Sequence, residues 1–102
     1  MNVVARYFEM WNTGDTTSVA EIVAPNWIDH AHPEVTGPES VALAVSSVRA
    51  ARPGLHFEIE AILSGDGLVT ATGSVGGARL TWVIRLQDGL MAEMHTYREE
   101  AT

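Results

Sequence analysis

The sequence contains no cysteine and no lysine. The absence of cysteine excludes disulfide bonds, thiolate catalysis and zinc sites built on cysteine. The absence of lysine excludes a Schiff base formed by a lysine side chain. The 6 basic side chains other than histidine are therefore all arginine.

Long apolar runs are also missing, and we expect no secretory leader. No stretch approaches the roughly 20 apolar residues that a membrane-spanning helix needs. The N-terminus lacks the basic-then-apolar pattern of a signal peptide, so we expect a cytoplasmic protein. A net charge of −7 argues against nucleic acid or an anionic membrane as the main partner.

The length of 102 residues, 46% of them hydrophobic, predicts one domain spanning 1–102. A chain of this size buries a core, but a large internal cavity would strain its stability. A partner subunit is therefore favoured.

Apolar residues at helical spacing predict three helices in the first half of the chain. The first covers residues 2–12. A second, short helix is expected to begin at the N-cap residue Asp15 and to end before Pro25. The third begins at residues 36–39 and stops at Pro53.

The second half alternates strand and turn signals. Three glycine-rich turns separate four alternating runs and predict an antiparallel meander. We expect a three-residue loop at Gly65-Asp66-Gly67 and two-residue turns at Gly76-Gly77 and Asp88-Gly89. One apolar face then collects Phe57, Ile59, Ala61, Leu63, Val69, Ala71, Gly73, Leu80, Trp82, Ile84, Leu86 and Met91.

The predicted registers make these three turns consistent with one another. The first loop sets Leu63 opposite Val69 and Ile59 opposite Gly73. The second sets Gly73 opposite Leu80. The helices are expected to cover the apolar face of the sheet, which is an α+β architecture.

The last hairpin carries an ionisable pair on this apolar face. A two-residue turn places Glu93 opposite Ile84 and His95 opposite Trp82, with Tyr97 on the same face. Burying either ionisable group without a partner is costly. The pair therefore predicts a functional site; the alternatives are a mutually satisfied pair or a face that is only partly buried there.

A short extended run, residues 27–32, carries two histidines. Alternation puts Trp27 and Asp29 on one side of it and His30 and His32 on the other. We expect at least one of these histidines to line a pocket, and surface histidines are the alternative.

A His-x-His pair on one face of a strand is also a metal-binding pattern. His30 and His32 would need a third ligand, however. His95, Asp29 or Glu93 would supply it only if the fold brings them close, so we predict no metal site.

The order and spacing of several motifs resemble one known family. The chain is similar to the SnoaL-like polyketide cyclases of the nuclear transport factor 2-like superfamily. The motifs that carry this resemblance are Asn12-Thr-Gly-Asp15, Asp29-His30 with Pro33, Gly37-Pro-Glu-Ser40, Arg52-Pro-Gly-Leu55 before Glu58-Ile-Glu60, and Asp88-Gly89 with Ala92-Glu93.

The resemblance implies a cone-shaped fold with a helix-lined pocket and an aldol-type cyclisation that uses an acidic residue but no metal or cofactor. It also implies a homodimer through the outer face of the sheet, here with Arg79, Val83, Met94 and Thr96. This sequence departs from the family by lacking a matching aspartate on the last strand. Glu93 and His95 would serve instead, with Glu99 as a weaker option.

Our first hypothesis is a cofactor-independent enzyme that abstracts a proton next to a carbonyl in a hydrophobic, polyketide-like substrate, and so permits cyclisation or isomerisation. His95 would be the general base. Glu93, its pKa raised by apolar surroundings, would orient the base or act as acid. His30 or His32 would hold or protonate the substrate oxygen, with Tyr97 or Tyr7 as a hydrogen-bond donor. The predicted substrate-binding residues are Tyr7, Trp11, Trp27, His32, Trp82 and Tyr97.

Two alternatives use the same pocket. One is a non-catalytic small-molecule-binding or accessory protein, in which these aromatic residues are plain core or a ligand wall. The other is an epoxide hydrolase or dehydratase. That chemistry needs a carboxylate-held water, for which Glu93 and Asp29 are the candidates.

Overall fold

The computed structural model describes residues 2–99, so the predicted domain bounds, 1–102, include termini outside this description. The elements are α1 (Val3–Thr13), a 3-10 turn (Val19–Glu21), β1 (Val23–Asp29), α2 (Gly37–Ala51), β2 (Phe57–Gly65), β3 (Leu68–Val75), β4 (Ala78–Gln87) and β5 (Leu90–Arg98). The strands form a sheet in the order β1-β5-β4-β3-β2, with β1 parallel to β5 and the other neighbours antiparallel.

Within residues 2–99, two helices pack on one face of the curled sheet. The expected α+β architecture is therefore confirmed. We call the sheet face turned toward the helices the inner face, and the opposite one the outer face. Neither helix is long and apolar enough to cross a membrane.

Helix α1, predicted over residues 2–12, covers Val3–Thr13. The Asn2 side chain accepts a hydrogen bond from the Ala5 backbone at 2.8 Å and caps the first turn. Gly14 adopts φ 79°, a left-handed conformation that ends the helix at low cost. Val4, Tyr7 and Phe8 are buried on its inner side.

The expected second helix is reduced to the 3-10 turn, so the predicted count of three helices is wrong. The Asp15 carboxylate accepts hydrogen bonds from the Thr17 backbone at 3.1 Å and from its hydroxyl at 2.7 Å, which closes a local turn. The chain enters β1 at Val23, and Pro25 lies within that strand. Proline is tolerated there because β1 is an edge strand.

Helix α2 is confirmed, and a single arginine ties it to α1. The Arg49 guanidinium donates hydrogen bonds to the carbonyl oxygens of Trp11 at 2.9 Å and of Leu55 at 3.0 Å. The Asn12 side chain exchanges two hydrogen bonds with the backbone of Phe57, at 2.9 and 2.7 Å. These contacts fix the ends of both helices against the start of β2.

The β3–β4 hairpin has the predicted register. Gly73 pairs with Leu80 and Ala71 with Trp82. The turn residues Gly76 and Gly77 have φ of 56° and 83°. A two-residue turn of this primed type requires positive φ at both positions, which glycine adopts freely.

The β2–β3 hairpin departs from the prediction. The turn has two residues, Asp66 and Gly67, rather than three, and Leu63 pairs with Thr70. A β-bulge then shifts the register so that Ile59 still pairs with Gly73. Ala61 and Leu63 consequently lie on the outer face, and Leu63 is 71% exposed.

A second bulge overturns the predicted register of the last hairpin. The first pair, Leu86 with Met91, is as expected, but Ala92 is an extra residue, and Glu93 pairs with Arg85 instead of Ile84. A one-residue slip moves every later side chain to the other face. Glu93, His95 and Tyr97 therefore lie on the outer face. This register is favoured because burying charged groups among apolar side chains costs more free energy than leaving one residue of the strand unpaired.

The slip also moves Met94 and Thr96, which were expected on the outer face, to the inner face; Met94 is 4% exposed. The core between the helices and the inner face consists of Val4, Tyr7, Phe8, Met10, Ile22, Val23, Trp27, Val41, Val45, Val69, Ala71, Trp82, Ile84, Met91 and Met94.

Candidate functional site

A cavity of about 300 Å³ lies between the two helices and the inner face of the sheet. A second hollow of about 290 Å³ adjoins it and shares Tyr7, Trp11, Asp29, His32 and Val48 with it. We call the two together the Asp29 cavity. The remaining lining residues are mainly apolar and include Val35, Val41, Leu55, Phe57, Val75, Leu80 and Met94.

Among the described residues, three larger depressions lie elsewhere, of about 450 Å³ beside α1, about 650 Å³ beside the β3–β4 turn and about 370 Å³ beside β4 and β5. All three are open grooves with many polar lining residues. Buried ionisable groups meet apolar walls in the Asp29 cavity, which is the usual combination in small-molecule sites.

Asp29 is the buried carboxylate of this cavity. It is the last residue of β1, it is 5% exposed, and the alternation of the strand turns it inward beside Trp27, as the sequence predicted. Its Oδ1 accepts a hydrogen bond from the Ala31 backbone at 3.0 Å. Its Oδ2 accepts none from residues 2–99, so this oxygen is available to a ligand.

Tyr7 supplies a phenol to the same cavity from α1. Burial raises the pKa of Tyr7 well above its ordinary value of 10.0, and the negative charge of Asp29 adds to the shift. The phenol therefore stays protonated at neutral pH and keeps its proton for donation to a ligand oxygen.

His32 stands at the rim of the cavity. The turn after β1 carries it there, through a hydrogen bond from its backbone N–H to the Asp29 carbonyl at 3.1 Å. Its side chain is 67% exposed and lies 3.9 Å from the Glu34 carboxylate. Thr96 adds a hydroxyl on the β5 side.

The predicted substrate-binding residues divide into two groups. Tyr7, Trp11 and His32 line the Asp29 cavity. Trp27 and Trp82 are instead core residues that do not line it, at 1% and 3% exposure.

Tyr97, the last of these predicted residues, is 55% exposed on the outer face and lies outside the cavity.

The predicted catalytic residues His30, Glu93 and His95 are brought together, but on the outer face. Glu93 Oε2 lies 2.6 Å from His30 Nε2 and 3.7 Å from His95 Nε2. The two imidazole rings stack with centroids 3.9 Å apart. We call these three residues the outer cluster.

The expectation that apolar surroundings raise the pKa of Glu93 is wrong. The hydrogen bond to His30, and then that to Arg85, lower this pKa below its usual value of 4.5. The sheet separates the outer cluster from the Asp29 cavity, so these residues do not reach a ligand bound there.

Asp29 was named from the sequence only as a minor candidate, and Thr96 was missed. Alternation already placed Asp29 beside Trp27, and an aspartate that shares a face with a tryptophan is a burial signal. Thr96 lines the cavity only because the bulge at Ala92 turns it to the inner face. The bulge could have been predicted by requiring that the ionisable side chains of Glu93 and His95 face solvent.

A match to a protein-family model identifies the family of this chain. The family model described as the SnoaL-like domain matches residues 4–94. This chain therefore belongs to the SnoaL-like family, and the resemblance inferred from its motifs is confirmed. Among curated proteins, no sequence matches the chain significantly.

Solved structures share the nuclear transport factor 2-like fold with this chain. A SnoaL-like polyketide cyclase from Agrobacterium tumefaciens has a TM-score of 0.77 and 13% identity, over 96% of this chain and 89% of that one. A SnoaL-like protein of unknown function from Burkholderia thailandensis has a TM-score of 0.75 and 18% identity, over 95% and 92%. A candidate polyketide cyclase from Bacillus cereus has a TM-score of 0.72 and 23% identity, over 95% of this chain and 72% of that one.

Proposed function

We propose that the protein catalyses proton transfer next to a carbonyl group in a small hydrophobic compound, in support of cyclisation or isomerisation. The observation that carries this proposal is the buried Asp29 carboxylate, with one oxygen free, in an apolar cavity. The SnoaL-like family, with relatives named as polyketide cyclases, supports the same class of chemistry.

Asp29 acts as the general base in this proposal. Its Oδ2 accepts the proton from the carbon next to the carbonyl, and the hydrogen bond to Oδ1 keeps the carboxylate oriented. The apolar walls exclude water and strengthen the electrostatic interactions inside the cavity.

Tyr7 stabilises the charge that develops on the substrate oxygen as the proton leaves. A neutral phenol in the same cavity as the base donates a hydrogen bond to the enolate oxygen. The raised pKa of Tyr7 means that it gives the hydrogen bond without losing its own proton. His32, at the rim, is placed to return a proton to the product.

The size and walls of the cavity indicate the substrate class. The larger of its two hollows, of about 300 Å³, lies at the lower end of the range of ligand pockets. We therefore infer a compact aromatic or polyketide-like ketone of one or two rings. Trp11, Leu55 and Phe57 would hold its apolar part.

Exchange of solvent deuterium into the substrate tests the proposal directly. A panel of one- and two-ring 1,3-dicarbonyl compounds and unsaturated ketones is incubated with the protein in D₂O, and exchange at the carbon next to the carbonyl is followed by NMR. We expect Asp29→Asn to slow the exchange by at least about 100-fold, because a positioned base contributes about that much. Ligand binding, followed by tryptophan fluorescence, should persist.

Asp66→Asn is the matched control, since it makes the same change in an exposed turn. Exchange by Asp29→Asn at the wild-type rate would contradict the proposal. Loss of exchange in Glu93→Gln alone would move the base to the outer cluster. Binding of panel members without exchange in the wild-type protein would favour the alternative of a non-catalytic binding protein.

A further inference from the structure

The outer cluster joins two strands that are distant in sequence. His30 follows β1 directly, and Glu93 and His95 lie on β5. β1 runs parallel to β5 with Asp29 beside Met94, so His30 comes to lie beside His95. The ligand atoms of the three residues all lie within 4.8 Å of one another.

The carboxylate of this cluster is held in place by a fourth residue. Arg85 Nε donates a hydrogen bond to Glu93 Oε1 at 3.0 Å. The other oxygen, Oε2, therefore faces the two imidazoles. Such an outer partner, which orients a carboxylate toward its neighbours, is the usual support of a metal ligand.

We propose that His30, Glu93 and His95 bind a divalent transition-metal ion, with Zn²⁺ as the representative case. Two imidazoles and one carboxylate are a ligand set that zinc commonly uses, and solvent completes the coordination. The ligand set differs from the His30 and His32 pair considered from the sequence, because the pairing of β1 with β5 brings Glu93 and His95 to His30, and His32 is not part of the cluster.

The observed distances are close to those of a bound site. Ligand atoms around a tetrahedral ion are about 3.4 Å apart. The separations from Glu93 Oε2, 2.6 Å to His30 and 3.7 Å to His95, bracket that value. Binding exchanges the hydrogen bond between His30 and Glu93 for two metal–ligand bonds.

The stacked rings must rotate for their Nε2 atoms to point at one ion, since their planes are only 8° apart. The side chains of His30 and His95 are 43% and 44% exposed, which leaves room for that rotation and for water ligands. The net charge of −7 favours an approaching cation.

The ion would join the C-terminal end of β1 to β5 on the side of the sheet opposite the Asp29 cavity. His30 is the next residue after Asp29, and its backbone N–H already donates to the Met94 carbonyl at 3.1 Å. A bound ion therefore stabilises the strand end that positions the cavity carboxylate, without entering the cavity.

Calorimetric titration of tag-free protein with Zn²⁺ in a non-chelating buffer tests the proposal. We expect a dissociation constant in the micromolar range or tighter, a stoichiometry of one ion per chain, and a rise in Tm. His30→Gln combined with His95→Gln should weaken binding by at least about 100-fold, because it removes two of three protein ligands. His56→Gln, an exposed histidine outside the cluster, is the matched control and should bind as wild type.

The imidazole ¹⁵N signals of the wild-type protein provide a second measurement that does not depend on the folding of a variant. We expect Zn²⁺ to shift the signals of His30 and His95 and to leave those of His56 in place. Shifts at His32 or His56 alone, or affinity weaker than millimolar, would overturn the proposal. So would unchanged affinity in a folded double variant.

Discussion

Gly73 shows at the scale of one residue why the sheet bends where it does. A Cβ atom at this position would lie 2.1 Å from the Glu58 carbonyl oxygen. The β2 backbone approaches this closely because the bulge after Ile59 bends it toward β3. The absence of a side chain, rather than an unusual φ, is therefore what the position requires.

We predict that Gly73→Ala lowers the free energy of unfolding by about 1–3 kcal/mol, the range for overpacking in a close-packed region. Urea unfolding followed by circular dichroism measures the change. Gly54→Ala is the matched control, because a Cβ at Gly54 would meet nothing within 4 Å. Equal stability of the two variants would mean that the close approach at Gly73 relaxes freely.

Strand β5 shows how one extra residue decides the chemistry of a whole element. With Ala92 unpaired, the strand turns Met94 and Thr96 inward and Glu93, His95 and Tyr97 outward. If Ala92 were instead paired with Arg85 in a regular ladder, each of these side chains would exchange faces. The Asp29 cavity and the outer cluster therefore both depend on the same bulge.

Deletion of Ala92 is predicted to remove the bulge and to keep the register, because Glu93 then follows Met91 directly and still pairs with Arg85. Glu93 and His95 stay on the outer face, so we expect cooperative unfolding to persist with a loss of about 1–3 kcal/mol. Insertion of one alanine between Met94 and His95 is the contrasting variant, since the slip turns His95 inward and Thr96 outward and should cost more. Urea unfolding and near-ultraviolet circular dichroism give the measurement. Loss of cooperative unfolding in the deletion variant would contradict this register.

At the scale of the whole molecule, exposed carboxylates connect stability to pH. Glu60 accepts two hydrogen bonds from the Arg79 guanidinium, at 2.7 and 2.6 Å, and these bonds lower its pKa below the usual 4.5. The hydrogen bonds from Thr17 likewise lower the pKa of Asp15 below 3.8. The folded protein therefore binds these protons less tightly than the unfolded chain does.

We therefore predict that the contribution of these carboxylates to the free energy of unfolding is fully present at neutral pH. The contribution of Glu60 is lost as the pH drops from 4.5 toward the lower pKa of this residue in the folded protein. The urea midpoint, measured from neutral to acidic pH, checks this. Glu60→Gln should reduce the acid dependence, whereas Glu58→Gln, which removes an exposed carboxylate of the same strand, should not. An acid slope that is unchanged in Glu60→Gln would contradict the role of this ion pair.

The sequence by itself determined the elements whose signals are local. The helical spacing of apolar residues predicts α1, Gly76-Gly77 sets the β3–β4 register, and the alternation in β1 puts Asp29 on the same side as Trp27. Helical spacing, primed turns and strand alternation depend on neighbouring residues only, and those are visible in the sequence. The family could also be inferred, because its motifs recur in order along the chain.

Only the tertiary structure decided the rest. The bulge at Ala92 depends on whether Glu93 or Met94 costs less to bury, and that comparison exists only once a core is assembled on one side of the sheet. The loss of the second helix depends on the pairing of β1 with β5, across more than 60 residues of chain. The sequence contained both the acid of the Asp29 cavity and the ligands of the outer cluster, but the side of the sheet on which each lies is a property of the folded molecule.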